Sequence, residues 1–511
     1  MSRRKKALFT TITATILQIV LLIINLILPH MIIKTYGSNV NGLINSITQF
    51  LGYIALLETG IGGVISALLY KALANNNEEE ISKIIISTQS FFRKICVVLI
   101  IYIIGLCIFF PLFSKDEFKS AYTISLLCII GISSFIQYYF GLTNQLLIKA
   151  DQKGYIVNIS KIITYIVSTI VMVVCIKFRC SIQFVKLIGT IILALSPLSY
   201  HIYVRKKYNI KYNLKKDDNI LKQRWDGFAH QIASFIHTNT DIALLTIFST
   251  MSEVSVYSVY LLITNGLRSF ITILSNSLCS TFGNIYAKKE FDKLEKQFQI
   301  FDYLNIIVIT FAFTIAAVTI TPFIKIYTKG VTDANYNRLI FGFIMVLSEA
   351  FYCLRCSYSN IIFVVGDFKQ TKWHAYLEGI LNIVVSLFLI KPFGIIGIAI
   401  GTLIGMTTRW LLSIYYVNKE IINLNTKCLI KKYLVNAFAI IIFVIVFNNL
   451  KLSNSLSYAS WVINAIILSA ILFVIILTLN CIFCGEDLKK MFDEYFGKVI
   501  GKIKWKRKKL V

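Results

Sequence analysis

Nine ionisable residues stand inside or at the edges of long apolar stretches of this sequence: Glu58, Lys161, Asp241, Arg268, Asp302, Glu349, Arg355, Glu378 and Arg409. A charge in hydrocarbon is costly, so each marks either a functional site or a buried ion pair. Arginine offers a planar fork of donors that matches phosphate or carboxylate oxygens, and lysine offers a point charge. Arg268 lies near the middle of the apolar stretch Val254–Ile285, and Lys161, Arg355 and Arg409 fall in the inner halves of theirs. Together these four cations form a candidate anion-binding set. Glu58, Asp241 and Glu349 lie deep and are candidates to take up a coupling ion, H⁺ or Na⁺. The alternative is that the charges pair between helices and staple the bundle. Glu349 and Arg355 are six residues apart and do not share a helical face, so their partners must come from other helices. Asp302 and Glu378 lie close enough to a span boundary for solvation to explain them as well as function does. His230 and His237 share a helical face seven residues apart. They read as cavity-facing polar residues in preference to a proton relay.

The elements that hold these residues are membrane helices. Of 511 residues 57% are apolar and 15% charged, with a mean hydropathy of +0.72, far from the composition of soluble domains. Apolar runs long enough to cross a bilayer follow one another from Leu8 to Phe483 and make fourteen spans. They include 42–70, 84–112, 120–148, 226–249, 254–286 and 298–325. Turn signals separate them at Tyr36-Gly-Ser-Asn39, Asn75-Asn-Asn77, Gly366-Asp367 and Pro392-Phe-Gly394.

The net charge of +27 would suggest nucleic acid in a soluble chain. Here its distribution argues for the positive-inside rule and against nucleic acid. With a cytoplasmic N-terminus, 37 Lys and Arg fall in inside segments, 11 outside and four within spans. Both termini are expected to be cytoplasmic. The start Met1-Ser-Arg-Arg-Lys-Lys6 leads into an apolar run too long for a cleaved signal peptide, and reads as a first span. The eleven cysteines read as ordinary thiols, since Cys353-Leu-Arg-Cys356 and Cys481-Ile-Phe-Cys484 lack partners at zinc-finger spacing.

The expected architecture is all-α. An N-terminal lobe of six spans (1–204) is followed by a basic cytoplasmic linker (205–225) and a second six-span lobe (226–418). Two further spans (419–483) and a basic cytoplasmic tail (484–511) complete the chain. A shift of 216 residues pairs Asn25 with Asp241, Val40 with Val256, Thr48 with Thr264 and Tyr70 with Tyr286, which suggests an internal duplication. Gly60-Ile-Gly-Gly63 is expected at a close helix contact. External loops are too short for a membrane glycosyltransferase or polymerase, and no phosphate-binding Gly-rich loop is present. No catalytic residue, metal site or cofactor is expected.

The block Tyr36-Gly-Ser-Asn-Val-Asn-Gly-Leu-Ile-Asn-Ser-Ile-Thr-Gln-Phe-Leu-Gly-Tyr53, running into Leu56-Leu-Glu-Thr-Gly-Ile-Gly-Gly63 and Leu69-Tyr-Lys-Ala-Leu-Ala74, resembles the amino-terminal signature of bacterial polysaccharide repeat-unit flippases. These belong to the multidrug/oligosaccharidyl-lipid/polysaccharide exporter superfamily. His230-Gln-Ile-Ala, Asn239-Thr-Asp241, Val256-Tyr-Ser-Val-Tyr260 and Gly283-Asn-Ile-Tyr-Ala-Lys288 resemble the start of the second half in the same group. The resemblance implies two six-helix lobes around a central cavity in the bacterial cytoplasmic membrane. They would translocate undecaprenyl-pyrophosphate-linked oligosaccharide by alternating access, with polymerase machinery as a partner and spans 13 and 14 as a groove for the lipid tail. A drug/cation antiporter of the same fold is the alternative, and a membrane polymerase or glycosyltransferase a third reading.

Overall fold

The computed structural model describes residues 3–58, 61–114, 117–214, 239–276, 278–422, 426–450 and 457–495. Every regular element among them is helical. In chain order these are α1 (Arg3–Tyr36), α2 (Ser38–Gly52), α3 (Ile61–Ala74), α4 (Glu78–Ser114), α5 (Ser120–Ile136), α6 (Leu142–Ala150), α7 (Gly154–Lys177) and α8 (Ile182–Lys207). They continue as α9 (Asn239–Phe248), α10 (Met251–Asn276), α11 (Cys279–Ala287), α12 (Phe291–Tyr327), α13 (Leu339–Val365) and α14 (Phe368–Phe393). The last three are α15 (Ile395–Tyr416), α16 (Thr426–Asn449) and α17 (Tyr458–Tyr495).

Thirteen described helices are long and apolar enough to cross a membrane, and each matches one predicted span. The remaining span, 226–249, is described only from residue 239 onward, as α9. The expectation for His230 and His237, and most of the second half of the linker, lies outside the described residues. Large apolar side chains stay exposed along the outer faces, among them Ile101, Ile104 and Ile108 on α4 and Ile463 and Ile466 on α17. Lipid is the solvent in which such a surface costs nothing.

The predicted turns lie where glycine and asparagine permit a left-handed backbone. Gly37, Gly366 and Gly394 have φ of 92°, 89° and 56°, and Asn76 has 49°. Two spans are broken where the sequence suggested continuous helices. Span 42–70 divides into α2, a 3₁₀ turn over Tyr53–Glu58 and α3, and span 254–286 divides into α10 and α11. A π turn at Gln137–Gly141 joins α5 to α6 inside span 120–148.

The breaks fall at equivalent places in the two halves. The helices after them, α4 and α12, are both 37 residues long and begin 213 residues apart, at Glu78 and Phe291. The order α1–α8 thus recurs in α9–α15. At these helices the offset is 213 where the sequence matches gave 216.

The described chain forms two compact units, Met1–Leu262 with Gly330–Asn335, and Ile263–Lys329 with Tyr336–Val511. The first has an apolar core in which Leu43, Ile47 and Leu51 of α2 meet Leu99 and Phe110 of α4 and Leu126 and Leu127 of α5. Within it α2 approaches α10 closely. A methyl group on Gly42 would fall 1.7 Å from the Met251 carbonyl oxygen, and Asn41 Nδ2 donates to Ser255 Oγ at 2.8 Å. Both helices receive a carboxylate at their N-termini. Asp333 accepts from the Ser38 amide (2.6 Å) and hydroxyl (2.7 Å), and Glu117 accepts from the Met251 amide (3.0 Å). Glu117 and Asp333 follow the equivalent helices α4 and α12, so each half caps its counterpart's helix in the same manner.

Candidate functional site

The second unit brings five of the charged residues together on four helices. α15 and α14 set the frame. Gly397, Gly401 and Gly405 recur at intervals of four and so line one face of α15. A methyl group on Gly397 would fall 2.3 Å from the Leu389 carbonyl oxygen, one on Gly401 2.2 Å from Ser386 Oγ, and one on Gly405 3.0 Å from the Glu378 carbonyl oxygen. The stripe lets the two helices approach as small-residue repeats do in membranes. Asn382 Nδ2 donates across it to Thr402 Oγ1 at 3.0 Å. Four residues beyond Gly405 the same face carries Arg409, and four residues before Asn382 α14 carries Glu378. The arginine donates to the Glu378 carboxylate.

Glu378 is 1% exposed and also receives Arg355 of α13 at 3.6 Å. Arg268 of α10 donates to both oxygens of Glu349 on α13, at 3.2 and 3.4 Å. The Tyr352 ring lies between the two pairs, with the guanidinium carbon of Arg268 5.0 Å and that of Arg355 4.7 Å from its centroid. A tyrosine face flanked by two guanidiniums offsets part of their desolvation. The partners of Glu349 and Arg355 come from other helices, as their spacing required.

Three arginines against two glutamates leave one positive charge in excess. Arg355 Nε has no hydrogen-bond partner among the described residues, and the side chains of Arg268 and Arg409 keep 17% and 11% exposure. The cluster therefore holds more donors than its two glutamates use.

The burial of Glu378 and Asp302 removes solvation from the two readings open for them. Glu378 sits ten residues into α14, about 15 Å along its axis, where the paired arginines replace water. Asp302 is 4% exposed and accepts from the Tyr358 hydroxyl at 2.8 Å.

The other candidates belong to the first unit. Lys161 and Glu58 line one cavity of about 470 Å³, together with Gln137, Tyr138, Tyr165 and Ser133. Tyr138 and Glu58 share the wall of that cavity. Lys161 makes no ion pair among the described residues. Asp241 is buried and accepts from the Tyr257 hydroxyl at 2.5 Å. Gly63 has nothing within 4 Å of a built methyl and Gly62 only the end of Leu146, so this pair does not make the expected close contact.

Sequence reading missed Glu378 as a partner and Tyr352 altogether. The signal for the first was the four-residue spacing of Gly397, Gly401, Gly405 and Arg409. Tyr352 carries no comparable signal, because tyrosines are frequent throughout the chain.

The helices take a fold that is also seen in a lipid II flippase and in MATE transporters. One solved structure, the lipid II flippase MurJ in an inward closed conformation, superposes with a TM-score of 0.70 at 14% identity, over 94% of this chain and 99% of that one. An inward-facing multidrug resistance MATE family transporter gives 0.58 at 12% identity, over 78% and 93%. A eukaryotic MATE transporter, AtDTX14, gives 0.52 at 12%, over 82% and 96%. No family model and no curated protein matches the sequence.

Proposed function

We propose that the protein is a flippase that carries undecaprenyl-pyrophosphate-linked oligosaccharide repeat units from the inner to the outer leaflet of a bacterial cytoplasmic membrane. Both termini are cytoplasmic, access alternates, and an ion gradient resets the carrier. The observation that carries this reading is coverage. The flippase fold accounts for 94% of the chain, whereas the two MATE structures leave about a fifth unmatched.

The site supports an anionic head group. Arg268, Arg355 and Arg409 present guanidiniums to a pyrophosphate or acidic sugar, and Lys161, in the cavity of the first unit, is a further candidate cation. Glu349 and Glu378 occupy the arginines in the absence of substrate. An arriving phosphate exchanges with a carboxylate already bound, so net affinity stays modest and the head group can leave on the far side. A displaced Glu349 is then free to take a proton or sodium ion, and Asp241 and Glu58 are the other coupling candidates. A drug cation would meet a site with excess positive charge.

The test is the pool of lipid-linked intermediates in cells lacking the protein, scored for leaflet with an impermeant probe. Accumulation of undecaprenyl-pyrophosphate oligosaccharide on the cytoplasmic side is the expected result. Complete units stranded on the outer side would sink the proposal in favour of a polymerase. An unchanged pool with altered drug resistance would favour the antiporter.

A further inference from the structure

At one end of the second unit α12, α16 and α17 enclose a second polar cavity of about 280 Å³. It is lined by Lys296, Gln299, Tyr303, Lys432, Asp487 and Lys490. These residues come from the beginning of α12, the beginning of α16 and the end of α17, so the antiparallel run of the helices gathers them at one level. Counting basic residues in the sequence puts that level on the cytoplasmic side.

The cavity is built rather than incidental. The backbone of α17 leaves helical geometry at Cys484 (φ −129°, ψ 30°). Beyond the kink Leu488 and Met491 turn into an apolar cluster with Ile300, Tyr303 and Val435, which leaves Asp487 and Lys490 on the cavity wall. Lys432 is only 6% exposed. Its ammonium lies 3.4 Å from Asp487 Oδ1 and 4.9 Å from the centre of the Tyr303 ring. The Tyr303 hydroxyl is tied to Asn480 at 2.8 Å, which fixes the ring. Three lysines face one aspartate, and the excess of positive charge calls for an anion.

The cavity is at the small end of ligand pockets, so it suits a phosphate and a short polar group and not an oligosaccharide. The same helices carry exposed apolar side chains at this end, Ile430 and Leu434 on α16 and Ile482 and Phe483 on α17, so the surface around this level is lipid-facing. An acyl chain attached to a bound phosphate would leave the cavity into that lipid. We infer that this cavity binds the head-group phosphate of an anionic membrane phospholipid, at a site distinct from the arginine cluster and independent of the transported substrate.

The test uses full-length protein in neutral detergent. It is titrated separately with phosphatidylglycerol, phosphatidylcholine and inorganic phosphate, and bound molecules are counted by native mass spectrometry. Saturable binding of phosphatidylglycerol is expected, weakened about 25-fold in Lys296→Gln/Lys490→Gln at roughly a factor of five per lysine. Both side chains are exposed, and the thermal unfolding of the lipid-free variant checks that it folds. Lys431→Gln/Lys489→Gln removes the same charge from neighbouring positions off the cavity and should bind as the parent does. Equal weakening in this control would overturn the inference, as would undiminished binding in the first variant or equal retention of phosphatidylcholine. Inorganic phosphate that binds alone and displaces the lipid completely would identify a free-phosphate site and overturn the lipid assignment.

Discussion

Gly405 rests against the Glu378 backbone, so close that a methyl group would sit 3.0 Å from its carbonyl oxygen, and one turn later Arg409 reaches the Glu378 carboxylate. The contact that brings α14 and α15 together therefore also sets the distance between the charges. Packing and electrostatics share one interface.

Gly401→Ala should push these helices apart, since its methyl would meet Ser386 Oγ at 2.2 Å and the Asn382 carbonyl at 2.8 Å. A cost of about 1–3 kcal/mol is expected for such overpacking. Gly405→Ala should cost less, and Gly63→Ala, with open space around it, should be neutral or slightly stabilising. Thermal unfolding in one detergent orders the three variants.

Glu378→Ala should be among the most damaging single substitutions, because it strips two buried arginines of their counter-charge. About 3–5 kcal/mol is the usual cost of leaving a buried charge unpaired. Glu349→Ala should cost less, since Arg268 keeps 17% exposure and can rehydrate. Equal losses in the two variants would show that solvent reaches Arg355 and Arg409 as readily.

Arg268→Ala should leave protein level normal and stop polymer export. Tyr352→Ala should impair export, because it removes the ring that faces both guanidiniums, and Tyr352→Phe, which keeps that ring, should impair it less. Export by Arg268→Ala at parental levels removes this residue from the site.

Asp333→Ala and Glu117→Ala each delete a carboxylate at a helix N-terminus, and each should lower stability by about 1 kcal/mol. Their loops follow equivalent helices and serve α2 and α10 respectively. The two losses should therefore be similar in size, as a pair of unfolding curves will show.

The sequence made the membrane helices legible because hydropathy and turn chemistry are local. Gly37, Gly366 and Gly394 needed no partner to mark a break. The arginines were legible as well, since a charge in an apolar run stands out at once. What pairs with what was not, because Arg268 and Glu349 are 81 residues apart and nothing in their spacing names one to the other. The reading of Glu378 stayed open for a related reason: distance from a span's end is a poor measure of burial when a neighbouring helix packs over it. The interruption at Tyr53–Glu58 was also hidden, since its residues are as apolar as the helix before them.

The unequal count of charges in the arginine cluster has an electrical consequence. With no substrate it carries one net positive charge, and with a doubly charged pyrophosphate bound and Glu349 still ionised it carries one net negative charge. A membrane potential negative inside pushes the second outward and draws the first inward, at about 2.3 kcal/mol per charge for each 100 mV crossed. On the proposed function the resting voltage would thus favour both strokes of the cycle. Neutral residues in place of Glu349 and Glu378 would leave three positive charges on the empty cluster and one on the loaded cluster, and so would abolish that change of sign.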